Sequence, residues 1–493
     1  MRPAWRVASI RAAEEAYMAT LPAGTLMQRA ATALARRCAE LLADRYGGAY
    51  GRRVLLLVGA GNNGGDALFA GAALARRGVQ VAAVLLNPER THAAGLSALT
   101  AAGGRTLAAP PDPVDLVVDG ILGIGGRGGL RADAVDLVAR ATGTRGADGA
   151  RPTVVAVDLP SGIDPDTGAV SGEAVRADVT VTFGALKAGL LIGAGAVHSG
   201  LVELVDIGLG PWLRDDPAVE VPELDDVAGW WPRPGPGDDK YTRGVVGIAT
   251  GSAVYPGAAL LSTGGALAGP AGMVRYAGAA LESVRDHYPT VIPTGRVADA
   301  GRVQAWTCGC GLGTDERAKA ELRAVLAAPV PACLDADGLT LLAEDSVVDT
   351  LRGRPAPTVL TPHDREFARL SGGGEPGDDR VAATLGLAAR TGAVVLLKGD
   401  RTIVGTPDGR AYVNPTGTPA LATAGTGDVL AGLLGALLAG GLPPERAAVA
   451  AAYVHGLAGR YAAESGPVTA ADVIAALRPV LARAGIWGVR SAT

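Results

Sequence analysis

Short apolar runs recur along the chain, and most of them end in glycines, carboxylates or both. Residues 54–58 (Val-Leu-Leu-Leu-Val) read as a strand buried on both faces. Before it, residues 7–46 read as helical, with Leu26, Met27, Ala30, Leu34 and Cys38 at helical spacing. After it comes a glycine loop, a helical run over 67–77 and a further strand over 79–86. A strand, loop, helix and strand in that order predict a right-handed crossover onto a parallel sheet. Strands are also expected at 115–118 and 153–157, and in the C-terminal half at 245–249, 305–308, 332–334, 358–360 and 394–397. Helical runs separate them. The pattern predicts two α/β domains, each with a largely parallel sheet.

Between the halves, residues 211–237 break the periodicity and carry Trp212, Trp230 and Trp231 among prolines and aspartates. The expected division is a first domain over 1–212, a linker over 213–237 and a second domain over 238–493.

Composition narrows the picture. Aromatic residues are only 4% of the 493 positions, against 48% hydrophobic, so the core must be built from Ala, Val and Leu. Small side chains suit helices packed closely on strands. The net charge of −4 gives no basic surface for nucleic acid. Four cysteines, two of them one residue apart (Cys308 and Cys310), lack the usual zinc or redox spacing. They are expected to be small buried hydrophobes in a reducing compartment. Arg11, Glu14 and Glu15 interrupt any apolar leader, so no export signal is expected. The uncharged stretch 244–274 is rich in Gly, Ser and Thr and is expected to be strand, loop and buried helix instead of a membrane span. A soluble, cytoplasmic protein follows.

The chemistry lies at the strand ends, where ligands bind in open α/β sheets. In the first half these ends carry Asn62, Asn63, Gly64, Gly65 and Asp66, then Asp119, then Asp158 and Ser161. Gly59, Gly61 and Gly64 match a dinucleotide fingerprint, but no acidic residue ends the next strand and Asp66 would repel a pyrophosphate. The loop suits a hydroxyl, an amide or a hard cation. In the second half, Gly425, Thr426 and Gly427 precede Asp428 and an apolar helix. Amides at such a helix start favour an anion, and a carboxylate beside them makes sense as a base for a substrate hydroxyl.

GNNGGD, VVDGILGIG, VAVDLPSGID and TVTFGALKAGL resemble the NAD(P)H-hydrate epimerases. The glycine loop 309–313, the strand-end groups Asp335–Gly338 and Thr361–His363, and KGDRT with AGTGD resemble the ADP- or ATP-dependent NAD(P)H-hydrate dehydratases, which look like ribokinase-type kinases. The first resemblance implies a Rossmann-like, three-layer α/β/α domain. The second implies a ribokinase-like α/β domain. In the epimerase half, Asn62, Asn63, Gly64, Gly65 and Asp66 would contact the damaged cofactor, together with Gly123, Ile124, Gly125, Gly126, Arg127, Gly128, Gly129 and Asp158. Asp158 would shuttle the proton. Asn63, Asp119 and Ser161 would hold a potassium ion, and one carboxylate with neutral oxygens suits a monovalent cation. In the dehydratase half, Lys398, Gly399, Asp400, Arg401, Thr402 and Gly427 would hold ADP with Mg²⁺. Ala258, Gly313, His363 and Asp428 would contact the hydrate, with Asp428 as the base. Cys310 departs from the family's usual Pro, and Ala424 from its usual Gly. The expected partners are hydrated NADH or NADPH and ADP, with no membrane and no nucleic acid, in a homo-oligomer. Two other readings are a ribokinase-like kinase of a small alcohol fused to a binding domain, and a nucleotide sensor without catalysis. A sensor has no use for the base Asp428.

Overall fold

The computed structural model describes residues 1–126, 128–344 and 351–487. The chain forms two compact units, Pro3–Ala218 and Val219–Thr493, the latter with Met1–Arg2. We call them the N-terminal and C-terminal units.

In the N-terminal unit the strands are β1 (Arg2–Trp5), β2 (Arg53–Val58), β3 (Gln80–Leu85), β4 (Arg105–Thr106), β5 (Leu116–Gly120), β6 (Thr153–Val157), β7 (Val179–Phe183), β8 (Leu186–Lys187) and β9 (Leu201–Val205). Seven of them form an all-parallel sheet in the order β4-β3-β2-β5-β6-β7-β9. Leu56, Val58 and Val118 face Leu34, Cys38 and Leu68 on one side, whereas Leu55, Leu57 and Val117 face Leu137 and Ala141 on the other. This is a three-layer α/β/α arrangement. The strand order reverses direction between β2 and β5, so a crevice opens at their carboxyl ends. The three strands whose ends carry the polar groups, β2, β5 and β6, are neighbours there.

Two local differences from the sequence reading have clear causes. The helical stretch over 7–46 is two helices, Val7–Met18 and Thr25–Tyr46, separated by a turn with Pro22 and the left-handed Gly24. The helix expected from Ala67 begins at Asn62, so the loop's amides and Asp66 form its first turns. Gly59 makes the tight approach possible, since a Cβ there would lie 1.9 Å from the Ile121 carbonyl oxygen.

The C-terminal unit contains β10 (Val219–Val221), β11 (Val245–Ala249), β12 (Met273–Ala277), β13 (Ile292–Thr294), β14 (Ala305–Cys308), β15 (Ala332–Leu334), β16 (Thr358–Leu360), β17 (Val394–Leu397), β18 (Ile403–Gly405) and β19 (Ala411–Val413). Their order is β13-β12-β11-β14-β15-β16-β17-β18-β19-β10. The run from β13 to β17 is parallel, and β18 pairs antiparallel with both neighbours. Strands β12, β13 and the β18–β19 hairpin add to the five expected from the sequence. The stretch 213–237 carries β10 and the helix Leu224–Trp230. Trp231 is buried in the core of this unit, Trp230 lies under Arg446, and Trp212 stacks on Tyr17 in the N-terminal unit.

The helix Thr426–Ala439 is buried along most of its length and runs against Pro256–Ala268. Small residues make that seam. A Cβ on Gly432 would fall 1.9 Å from the Ser262 carbonyl oxygen, and one on Gly265 2.2 Å from the Val429 carbonyl oxygen. Gly432→Ala should therefore force the helices apart and destabilise the unit by about 1–3 kcal/mol. Urea unfolding, with hydrogen exchange along Thr426–Ala439, reads the effect; an unchanged midpoint and unchanged protection would refute it.

Candidate functional site

Each unit carries its own constellation. In the N-terminal unit, a cavity of about 1030 Å³ is lined by Glu14, Asn62, Asn63, Asp66, Gly123 and Asp158, among others. Asp158 follows β6 and adopts a left-handed backbone (φ 67°), rare for a residue other than glycine. Its Oδ1 accepts from Lys187 Nζ at 2.5 Å, from Thr182 Oγ1 at 3.2 Å and from the Phe183 amide at 3.2 Å. Lys187 is only 1% exposed and also donates to Thr182 Oγ1 and to the Phe183 carbonyl. A buried lysine with that set of acceptors locks the carboxylate in place.

Beside this lies an oxygen-rich cluster. Asp119 is fully buried, and burial pushes its carboxyl up to about 6 against the hydrogen bonds it accepts. Those bonds come from the Ser161 amide (2.8 Å), Ser161 Oγ (2.7 Å) and the Ile121 amide (3.2 Å). Asn63 Nδ2 donates to the Leu122 carbonyl at 2.9 Å, and the Leu122 amide donates to Ser161 Oγ at 2.8 Å. Asn63, Asp119 and Ser161 thus gather around Leu122, with oxygen donors and no thiol or imidazole in the set. Such donors fit a hard cation.

In the C-terminal unit, Asp428 sits in the first turn of Thr426–Ala439, after the left-handed Gly425. Burial, then Asp335, pushes its carboxyl up to about 7, although Cys310 and Lys398 oppose the shift. Ligand atoms of Cys310, Asp335 and Asp428 lie within 4.8 Å of one another. Lys398 Nζ donates to Asp335 Oδ1 at 2.6 Å and lies 3.5 Å from Glu366 Oε2. Burial alone would lower the Lys398 pKa, but the two carboxylates outweigh it and the ammonium is held charged. A Cβ on Gly427 would be 3.6 Å from both Lys398 Nζ and Asp335 Oδ2, so the glycine loop, the lysine and the carboxylate meet. Behind them, His455 Nε2 bonds the Thr426 carbonyl at 2.9 Å, and burial drives its pKa down to about 4. The ring is neutral near pH 7, so Nε2 carries the proton and ties down the helix start.

A family model for the YjeF-related protein N-terminus matches residues 23–189, and one for NAD(P)H-hydrate dehydratase matches 246–478. The bifunctional NAD(P)H-hydrate repair enzyme of Mycobacterium leprae is 50% identical over 98% of this chain and 100% of its own. That of Mycobacterium tuberculosis is 52% identical over 91% of each chain. The chain belongs to the bifunctional NAD(P)H-hydrate repair enzymes. The ribokinase-like superfamily protein from Enterococcus faecalis is similar in fold, with 24% identity, 54% of this chain and 96% of that chain covered, and a TM-score of 0.50.

The residues singled out in the sequence fall at several places in the two units. Asn62, Asn63, Asp66, Gly123, Ile124, Gly125, Gly126 and Asp158 line one cavity. Gly64 and Gly65 lie in the helix turn behind it, with Gly65 against His92. Gly128 and Gly129 follow beyond the lining, and Arg127 lies outside the described residues. Ala258 packs on Gly311, and the Gly313 amide donates to Asp337 at 2.8 Å. His363 caps the helix Asp364–Ser371 and lies 3.4 Å from Glu366, which connects it to Lys398. Arg401 donates to the Pro415 carbonyl at 2.7 Å and faces Asp400, while Thr402 Oγ1 donates to the Gly399 carbonyl at 3.0 Å.

Sequence reasoning gave no role to Lys187, Glu14, Asp335 or Glu366. For Lys187 the signal was a single cation inside the apolar run FGALKAGLL, where a lysine is buried only if paired. No helix among the described residues is long and apolar enough to cross a membrane.

Proposed function

We propose that this repair enzyme restores hydrated NADH and NADPH in two steps. The N-terminal unit interconverts the R and S hydrates. The C-terminal unit dehydrates the S hydrate at the expense of ADP, giving NAD(P)H, AMP and phosphate. The observation that carries the second step is the raised Asp428 carboxyl at a glycine-rich helix start beside Lys398. Hydroxide leaves poorly and phosphate leaves well. Asp428 takes the proton of the hydrate's hydroxyl, and that oxygen attacks the terminal phosphorus. The ring nitrogen then expels phosphate, leaving a C=N⁺ bond, and loss of a proton from the adjacent ring carbon restores the C=C bond of the reduced ring. Gly427 and the segment Lys398, Gly399, Asp400, Arg401 and Thr402 hold the nucleotide, while Ala258, Gly313 and His363 place the hydrate. Mg²⁺ bound to the nucleotide would offset charge on its phosphates. The thiol of Cys310 makes its cluster a poor magnesium site, so no protein ligand is assigned to that ion.

In the N-terminal unit the substrate lies along Asn62–Asp66 and the 123–129 loop, with Asp158 carrying the proton. Asn63, Asp119 and Ser161 would hold potassium, which would fix the loops around Leu122. The four buried, unpaired cysteines support a reducing, cytoplasmic setting.

Incubation with hydrated NADH, ADP and Mg²⁺ should restore the absorbance of the reduced ring and release phosphate. A stable phosphoester without restored absorbance would support a kinase instead. With nucleotide omitted and EDTA present, epimer interconversion followed by NMR should be faster in potassium than in a bulky organic cation. Loss of interconversion on adding EDTA to potassium buffer would exclude the monovalent assignment.

A further inference from the structure

We propose that Asp66 is a second reacting carboxyl of the N-terminal site: it protonates the departing hydroxyl, and Asp158 receives the proton of the water that returns. This rests on the epimerase reading of that unit.

The two carboxyls line the same cavity but have unequal surroundings. Asp158 Oδ1 accepts from Lys187, Thr182 and the Phe183 amide, so it is bonded on three sides. Asp66 reaches the cavity from the second turn of the helix Asn62–Ala75, and its buried Oδ1 has no hydrogen-bond partner among the described residues. A buried, unpartnered carboxylate costs far more than a neutral acid in the same place. Burial first, then Asp158 and Glu14, push the Asp66 carboxyl well above its ordinary range, and Lys187 opposes them only in part. Glu14, on the helix Val7–Met18, is itself pushed up by burial, with Lys187 and Arg11 opposing. His92 abuts the same helix at Gly65. Among the described residues, no cation contacts Asp66 Oδ1. One carboxyl bonded to a buried lysine, facing the same cavity as one without a hydrogen-bond partner among the described residues, is an arrangement that can divide acid from base.

Inversion of a carbinolamine needs both. The nitrogen lone pair forms a C=N bond as the C–O bond breaks. The Asp66 proton goes to the departing oxygen, which leaves as water. A water then attacks the other face of the cationic ring. The new C–O bond forms, the C=N electron pair returns to nitrogen, and the surplus proton passes to Asp158. The proton has moved from one carboxyl to the other, which readies the site for the opposite epimer. Nothing is oxidised or reduced, and no co-reactant is consumed.

The test is epimer interconversion by the full chain without nucleotide, followed by NMR across pH. Asp66→Asn keeps the shape and removes the acid. Its kcat should fall about 10²–10⁴-fold with KM little changed. The wild-type kcat should fall as pH rises through the Asp66 titration, and that limb should vanish in Asp66→Asn. Near-normal turnover of the variant overturns the proposal, as does a wild-type profile with no falling limb on the alkaline side. The wild-type profile decides even if the variant does not fold. If the wild type fails to interconvert the epimers at all, the epimerase reading itself falls; if it does so and Asp66→Asn keeps pace, only the role of Asp66 falls.

Discussion

Asp428→Asn should reduce nucleotide-dependent dehydration by about 10²–10⁴-fold while nucleotide binding persists. The asparagine fills the same space at the start of Thr426–Ala439 but accepts no proton. In the wild type, burial and Asp335 hold the carboxyl near 7, so a base at this position is only partly ionised at neutral pH. The active form is the carboxylate. As pH falls through about 7, the logarithm of kcat/KM should drop with unit slope, because kcat/KM reports the free enzyme. As pH rises above it, the rate should level off. Lys398 stays charged throughout this range, since Asp335 and Glu366 hold its proton. A variant with normal turnover, or a profile without the acid limb, removes Asp428 from the chemistry. Nucleotide binding by calorimetry separates a lost base from a collapsed site.

Lys187→Met should be the most disruptive change in the N-terminal unit. It removes the only cation bonded to Asp158 among the described residues and leaves that carboxylate buried. Breaking a buried pair from one side costs about 3–5 kcal/mol. Epimer interconversion should disappear with it, because the unusual backbone at Asp158 loses the side-chain bond that fixes the carboxylate. Lys187→Met with Asp158→Asn should regain much of the stability, since no unpaired charge remains, yet stay inactive. Dehydration by the same chain provides the internal control and should continue. If Lys187→Met melts and turns over like the wild type, the pair has no structural role.

What the chain discloses before folding follows from which forces are local. Strands β2, β5 and β6 are legible because continuous Val and Leu runs are buried on both faces, and their polar ends mark the crevice. The seam under Asp428 is foreshadowed by glycine and alanine in an apolar helix. Strand β13, with Pro293 at its centre, is not legible, since its pairing with β12 is set by tertiary contacts. Neither is the start of the helix at Asn62, where glycines conceal the periodicity. The lone Lys187 carries no pattern of its own, and only the fold reveals that Asp158 and the Phe183 carbonyl surround it. Asp335 and Glu366 look like ordinary strand-end and helix-start acids until Lys398 is placed between them.

The glycine seam also sets a limit on how this protein can diversify. A helix whose neighbour's carbonyl lies where a methyl group would sit can neither slide nor rotate without unpacking both. The position of Asp428 is therefore inherited from the frame and cannot be tuned by small drift in sequence. Gly399 and Asp400, by contrast, are exposed, and substitutions there leave the seam untouched.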